Sequence, residues 1–249
     1  PRGPLLTMVA DILVNGLVHS GVYAMLSLGF GLVFGVGRVL NLAHTAFYMI
    51  AAYGIFYLVR MGLAMPVATA LTAVGVMAVG LAIYKVFIEP VREVEATVLI
   101  TTLAAAILLQ EIAMVLFGSE LRHVPPAFPG YTLIAGVRVG NQEMATLVLA
   151  GVCLAGVWLL LAHTRLGLAI RAAAQDREVA NLMGINVNRV TAIVMGLGFL
   201  LAALAGAAIA PLSPVEPQMW MHPLVIVLAA VVLGGLGSLK GSLIGAVIL

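Results

Sequence analysis

Ala64–Tyr84, AMPVATALTAVGVMAVGLAIY, decides the fold. It runs for 21 residues without a charge, between Arg60 and Lys85. At about 1.5 Å per residue, a helix of roughly 20 residues crosses the hydrocarbon core of a bilayer. The run is continuous rather than alternating, so it reads as helix and not as a barrel strand. The same pattern recurs on both sides. Met8–Val36, Asn41–Val59, Ala96–Phe117, Met144–Ala162, Thr191–Ala210 and Leu224–Leu249 are further apolar segments. The predicted fold is all-α: a polytopic transmembrane helical bundle with about seven or eight membrane segments.

Composition agrees. Of 249 residues, 63% are hydrophobic and 9% charged, and the mean hydropathy is +1.18. A soluble domain carries about 25% charged residues. The 27 glycines suit close helix approach in lipid. A net charge of +2 with no basic–aromatic cluster gives no reason to expect nucleic acid. Cys153 is the single cysteine, so no intrachain disulfide or multi-cysteine metal site can form. Residues 1–249 read as one transmembrane domain. The final segment stops in mid-run at GAVIL, from which an incomplete C-terminal end is expected.

The loops alternate in charge. Arg38, Lys85, Arg92, Arg165, Arg171, Arg177 and Arg189 fall on one side. Arg60, Arg122 and Arg138 fall on the other, with Arg2 as a fourth. The positive-inside rule puts the first set in the cytoplasm and the N-terminus outside. The outer loops are proline-rich, HVPPAFPG at 123–130 and PLSPVEPQ at 211–218. The cytoplasmic stretch His163–Val190 is a charged island. It holds four of the twelve Lys/Arg and two of the ten acids, and Gly184 is placed to end a helix in the left-handed region.

Two segments are interrupted by small residues: GVGRVLNLAHTAFY at Gly35–Tyr48 and GGLGSLKGSLIG at Gly234–Gly245. Breaks in matching places of two halves point to inverted repeats around a transport path. Asn41 and His44 share a helix face. They read either as path lining, with Thr45, Gly234, Gly235, Gly237 and Ser238, or as an interhelical bond that fixes a kink. Asn15, His19 and Tyr23 share a packing face. Gln110 and Glu111 lie toward the outer end of their segment, where Glu111 could pair with Arg122, contact substrate near the outer mouth, or simply reach water as an interfacial acid. Lys240 lies between Leu239 and Gly241, not in the Gly-Lys-Ser/Thr of a phosphate loop. The five histidines have no metal-ligand spacing and no GxSxG occurs, so neither a catalytic residue nor a metal site is assigned.

Glu178, Ala180 and Gly184 reproduce the spacing of the EAA-type loop of bacterial ABC importer permeases; an ordinary amphipathic interfacial loop is the alternative. Further motifs sharpen the resemblance. Gly16-Leu-Val-His-Ser-Gly-Val-Tyr-Ala24, Leu28-Gly-Phe-Gly-Leu-Val-Phe-Gly35 and Asn41-Leu-Ala-His-Thr-Ala-Phe-Tyr-Met49 resemble the N-terminal signature of branched-chain amino acid permeases. Thr164-Arg-Leu-Gly167, Ala174-Gln-Asp-Arg-Glu178, Leu182-Met-Gly-Ile-Asn186 and Val232-Leu-Gly-Gly-Leu-Gly-Ser238 resemble the same family, closest to its LivH-type subunit. Thr45-Ala46 departs from the family pattern after the histidine, which leaves amino acids, amides and urea open as solutes.

The resemblance implies a non-enzymatic translocation subunit of the bacterial inner membrane. It implies a LivM-like second permease, two LivG/LivF-like ATP-binding subunits carrying ATP and Mg, and a periplasmic binding protein. No cofactor is implied in this chain itself. Residues 163–190 would be the cytoplasmic coupling loop, with Arg177, Glu178, Ala180, Leu182, Met183, Gly184 and Ile185 docking on the ATPase. The rival is an ion-coupled transporter or channel, which needs intramembrane acids; Glu111 is the one candidate.

Overall fold

The computed structural model describes residues 4–134, 137–235 and 237–248. Arg2, Leu249 and the side chain of Lys240 lie outside the described residues. Ten α-helices and one hairpin are present among the described residues: α1 Pro4–Gly37, α2 His44–Arg60, α3 Met65–Ile83, α4 Glu95–Phe117, β1 Tyr131–Ile134, β2 Val137–Gly140, α5 Asn141–His163, α6 Arg165–Gln175, α7 Arg177–Leu182, α8 Val187–Ile209, α9 Met221–Gly234 and α10 Leu239–Ile248. Five spans are long and apolar enough to cross a membrane: Ile12–Gly37, Met65–Val91, Glu95–Phe117, Asn141–His163 and Val187–Ile209. The helices α2, α9 and α10 are shorter apolar pieces, which makes the sequence count of seven or eight segments consistent.

The helix α8 is the centre of the bundle. Its small residues let three neighbours approach closely. A Cβ at Gly206 would overlap the Tyr48 carbonyl of α2, and one at Gly198 would lie 3.4 Å from the Gly29 carbonyl of α1. On a third side Phe199 sits over Gly80 of α3 and packs against Phe47 at 4.5 Å between ring centres. In lipid there is no hydrophobic gain from helix association, so such close contact supplies the dispersion energy instead. The helices α4 and α5 are peripheral. Val115 of α4 is 84% exposed and Val148 of α5 66%, exposure suited to lipid or to another apolar partner.

The chain does not stay helical throughout. The helix α3 widens into a π turn at Tyr84–Ile88 and tightens into a 3₁₀ turn at Glu89–Val91, and Tyr84 and Ile88 are buried. The helices α9 and α10 form a hairpin: the backbones of Gly234 and Gly241 abut, as do those of Ala230 and Gly245. The second glycine break is therefore a reversal of the chain. With 14 residues, α9 spans about 21 Å, less than the bilayer core.

The outer connection holds a hairpin that the proline-rich reading did not anticipate, pairing Tyr131 with Gly140. Its signal was the β-forming residues of YTLI and VRVG. Arg122 and Val215 exchange both backbone hydrogen bonds, 3.0 and 2.8 Å, which ties the two outer loops together. The polar pair of α4 divides. Gln110 is buried and its Oε1 accepts the Trp220 indole N–H at 2.7 Å. Glu111 is exposed, and Arg122 pairs with Glu120 at 3.3 Å. Of the readings open for Glu111, exposure is the one found, and Arg122 takes the acid nearer to it in sequence.

Candidate functional site

The charged island folds as two helices at an angle, not one. Thr164 starts α6: its hydroxyl accepts from the Gly167 N–H at 2.9 Å and donates to the Leu160 carbonyl at 2.6 Å. A Cβ at Gly167 would overlap the Leu160 and Leu161 carbonyls, so the turn out of α5 admits only glycine there. The Arg171 guanidinium donates to the Leu161 carbonyl. Asp176 then ends α6 and starts α7. Its backbone is extended, φ −150°, ψ 115°. Its carboxylate accepts the N–H groups of Glu178 at 2.9 Å and Val179 at 3.0 Å, which satisfies two of the orphan donors of the new helix.

The other end of α7 is a Schellman turn. Gly184 has φ +84°. Its N–H reaches the Asn181 carbonyl and that of Ile185 reaches Ala180, both at 3.0 Å, the two bonds the motif requires. Between the caps, Ala180 alone is buried. Leu182 is 86% exposed and Met183 79%. The carboxylate of Glu178 is exposed, and Ile185 is half-buried at the elbow to α8. An open notch of about 490 Å³ beside this elbow is lined by Arg177, Glu178, Asn181, Gly184, Asn186 and Asn188 among others.

Arg177 faces the bundle. Its guanidinium donates to the carbonyl of Gly37, the last residue of α1, at 3.1 Å. A cation at a helix C-terminus meets the negative end of the dipole and an orphan carbonyl together. Its pKa is lowered, first by burial and then by the neighbouring Arg92, with Arg38 adding to the effect. Three arginines of the basic loops therefore converge on this face. Two residues earlier in α1, Gly35 faces the second glycine break, where the Gly237 carbonyl would lie 3.5 Å from a Cβ. The helix α7, the end of α1 and the reversal at Gly235–Ser238 thus form one contiguous chain of contacts. In that reversal Ser238 caps α10, its hydroxyl accepting the Gly241 N–H at 3.1 Å.

The residues Asn41, His44 and Thr45 lie deeper. His44 Nε2–H donates to the Leu26 carbonyl at 3.1 Å, and the ring abuts Gly29 and Gly198. Gly198 lies about 16 Å along α8 from Val187, so α2 begins well inside the membrane. The linker 38–43 climbs to that depth without helical structure. Non-helical backbone is tolerated at depth only where protein satisfies it. Thr102 of α4 does so: its hydroxyl accepts from Leu42 N–H at 3.2 Å and lies 3.3 Å from the Leu40 carbonyl. Asn41 Oδ1 accepts the Ala43 N–H at 3.1 Å. Thr102 escaped sequence reasoning because it is one of three threonines in α4 and nothing in the sequence sets it apart from Thr97 and Thr101. Asn41, His44 and Thr45 are all fully buried. Among the described residues, Asn41 Nδ2, His44 Nδ1, Thr45 Oγ1 and Ser27 Oγ have no hydrogen-bond partner. The structure brings Asn41, His44 and Thr45 together at one break and Gly234–Ser238 at another. The second break packs directly on Gly35, where the first interrupted segment begins.

The model of the family described as "Branched-chain amino acid transport system / permease component" matches residues 12–249. The high-affinity branched-chain amino acid transport system permease protein BraD of Pseudomonas aeruginosa is 30% identical over 95% of this chain and 82% of its own length. LivH of Escherichia coli, with the same description, is 28% identical over 94% of this chain and 82% of its own length. Among solved structures, a metal-chelate type ABC transporter in an inward-facing conformation matches with a TM-score of 0.51 and 17% identity, covering 100% of this chain and 78% of that one. That last likeness concerns the fold.

Proposed function

Because the chain belongs to the family of branched-chain amino acid transport permease components, we propose that it is the LivH-type translocation subunit of an ATP-driven importer in the bacterial inner membrane. The solute is a branched-chain amino acid or a related small polar molecule. A LivM-like permease completes the pathway, a periplasmic protein delivers solute, and two LivG/LivF-like subunits bind ATP and Mg.

One observation carries the reading. Two bare apolar side chains, Leu182 and Met183, project from a helix capped at both ends. A six-residue helix with no burial beyond Ala180 gains little by itself, but its caps hold an apolar tip ready for a cleft. Arg177 links that tip to α1. Closure of the ATPases would move α7, then the end of α1 and the hairpin reversal beside it. Differential affinity of the ATPases for the two permease states supplies the work. Asn41, His44, Thr45, Gly234, Gly235, Gly237 and Ser238 are then the places where the path opens. The unpartnered polar atoms at the first break support this, since buried polar groups ordinarily find partners.

The test is copurification of the complex, with ATP hydrolysis and solute uptake measured in proteoliposomes. Gly184→Pro, which removes the Ala180–Gly184 turn, and Glu178→Lys should each uncouple hydrolysis from uptake and leave the membrane fold intact. Unchanged uptake in both variants would sink the docking role, and uptake driven by an ion gradient without any ATPase would sink the importer reading.

A further inference from the structure

We propose that the end of the bundle opposite α7 carries a carboxylate site for an aliphatic amino acid, formed where α2 and α4 finish. This rests on the function proposed above and adds to it a place where the solute is held. A cavity of about 360 Å³ opens there, within the range of small-molecule sites, roughly 300–1,000 Å³. Its apolar wall comes from Phe56 and Met61 at the end of α2 and from Leu116 and Phe117 at the end of α4. Tyr57 and two guanidinium groups, Arg60 and Arg122, complete the lining.

Their settings differ. Arg122 is held in place: its NH2 donates to the Phe117 carbonyl at 2.8 Å and meets Glu120 at 3.3 Å, and its guanidinium lies 5.9 Å from the Phe56 ring centre. These contacts leave its buried Nε without a partner among the described residues. Capping α4 accounts for the Phe117 contact but not for this second donor. Arg60 ends α2 and makes no ion pair among the described residues. The hydroxyl of Tyr53, whose ring stacks on Phe117 at 4.6 Å, is also buried and unpartnered.

Planar guanidinium donors match the two oxygens of a carboxylate. An aromatic and aliphatic wall beside them matches a branched hydrocarbon side chain. A solute with both parts, released at this end of the bundle, satisfies both halves of the cavity. An anionic phospholipid also brings a phosphate for the cations and a hydrocarbon chain for the wall, and the phosphatidylglycerol arm of the experiment separates it from an amino acid.

The experiment uses the assembled permease complex without its binding protein, in nanodiscs of phosphatidylcholine, with saturation-transfer NMR of L-leucine and of L-leucinamide as probes. L-leucine should give a signal and L-leucinamide, lacking the carboxylate, should bind at least tenfold more weakly. Arg60→Gln should weaken L-leucine binding at least tenfold, and Arg60→Lys should recover part of it. Arg60 is exposed, so neither variant threatens folding. Equal binding of the two probes, or no effect of Arg60→Gln, overturns the site. Loss of the L-leucine signal when phosphatidylglycerol is added overturns it too, by assigning the cations to lipid. L-leucine import by the wild-type complex is measured separately. Import without the NMR signal rejects this site and keeps the proposed function; the signal without import does the reverse.

Discussion

Arg177 joins two parts of the molecule through a single hydrogen bond. The bond to Gly37 spans 140 positions in sequence, and the cation sits where the dipole of α1 is negative. Such an interaction contributes about 0.3–1 kcal/mol at an exposed helix end. Arg177→Gln should therefore lower stability only slightly, while substantially reducing the stimulation of ATPase activity by solute-loaded binding protein. Thermal unfolding in detergent and ATPase assays on the same preparation check both halves. Loss of stability without loss of stimulation would reduce Arg177 to a helix cap. At this scale the sequence was partly legible. Gly184 announced a helix end, and φ +84° bears that out. Glu111 was legible as an interfacial acid, but its supposed partner Arg122 turned to Glu120. Which acid an arginine meets depends on loop geometry, and spacing in sequence does not carry it.

The element that depends most on its ends is α7. Six residues are too few to be helical without caps and tertiary support. Asp176→Ala removes the acceptor of two N–H bonds and should cost about 1 kcal/mol. That is enough to speed amide exchange selectively across residues 177–182, measured by hydrogen–deuterium exchange, with the membrane helices unaffected. The linker between α1 and α2 makes the converse case, an irregular element held by a helix. Thr102→Val should leave the Leu40 carbonyl and Leu42 N–H unsatisfied at depth, a loss of about 1–3 kcal/mol for a buried polar group. A fall in the thermal midpoint of the detergent-solubilised protein checks it; no fall would mean that water or lipid satisfies the linker. Helix positions were readable because membrane segments must satisfy their backbones internally. The division of the charged island into α6 and α7 was not, since it turns on the extended backbone of one residue, Asp176.

For the whole molecule, the basic loops set the orientation. Arg38, Arg92 and Arg177 gather on the face that carries α7, and the positive-inside rule predicts that face to be cytoplasmic. In a Cys153→Ala background, Leu182→Cys should be labelled by an impermeant maleimide only in inside-out vesicles. Tyr131→Cys, exposed on the hairpin, should be labelled on intact spheroplasts. The opposite pattern would invert the topology. The sequence by itself determined that this chain is a helical membrane bundle, where its segments run, where it breaks and which family it resembles. Hydrocarbon length, charge asymmetry and glycine placement are local properties that a linear chain records. Tertiary structure alone decided that α8 is the centre, that the second break reverses the chain against Gly35, and that Thr102 and Arg177 hold the first break and α7 in place. Those facts rest on contacts between residues 60 to more than 200 positions apart, and the spacing of residues along a chain does not encode which distant surfaces fit.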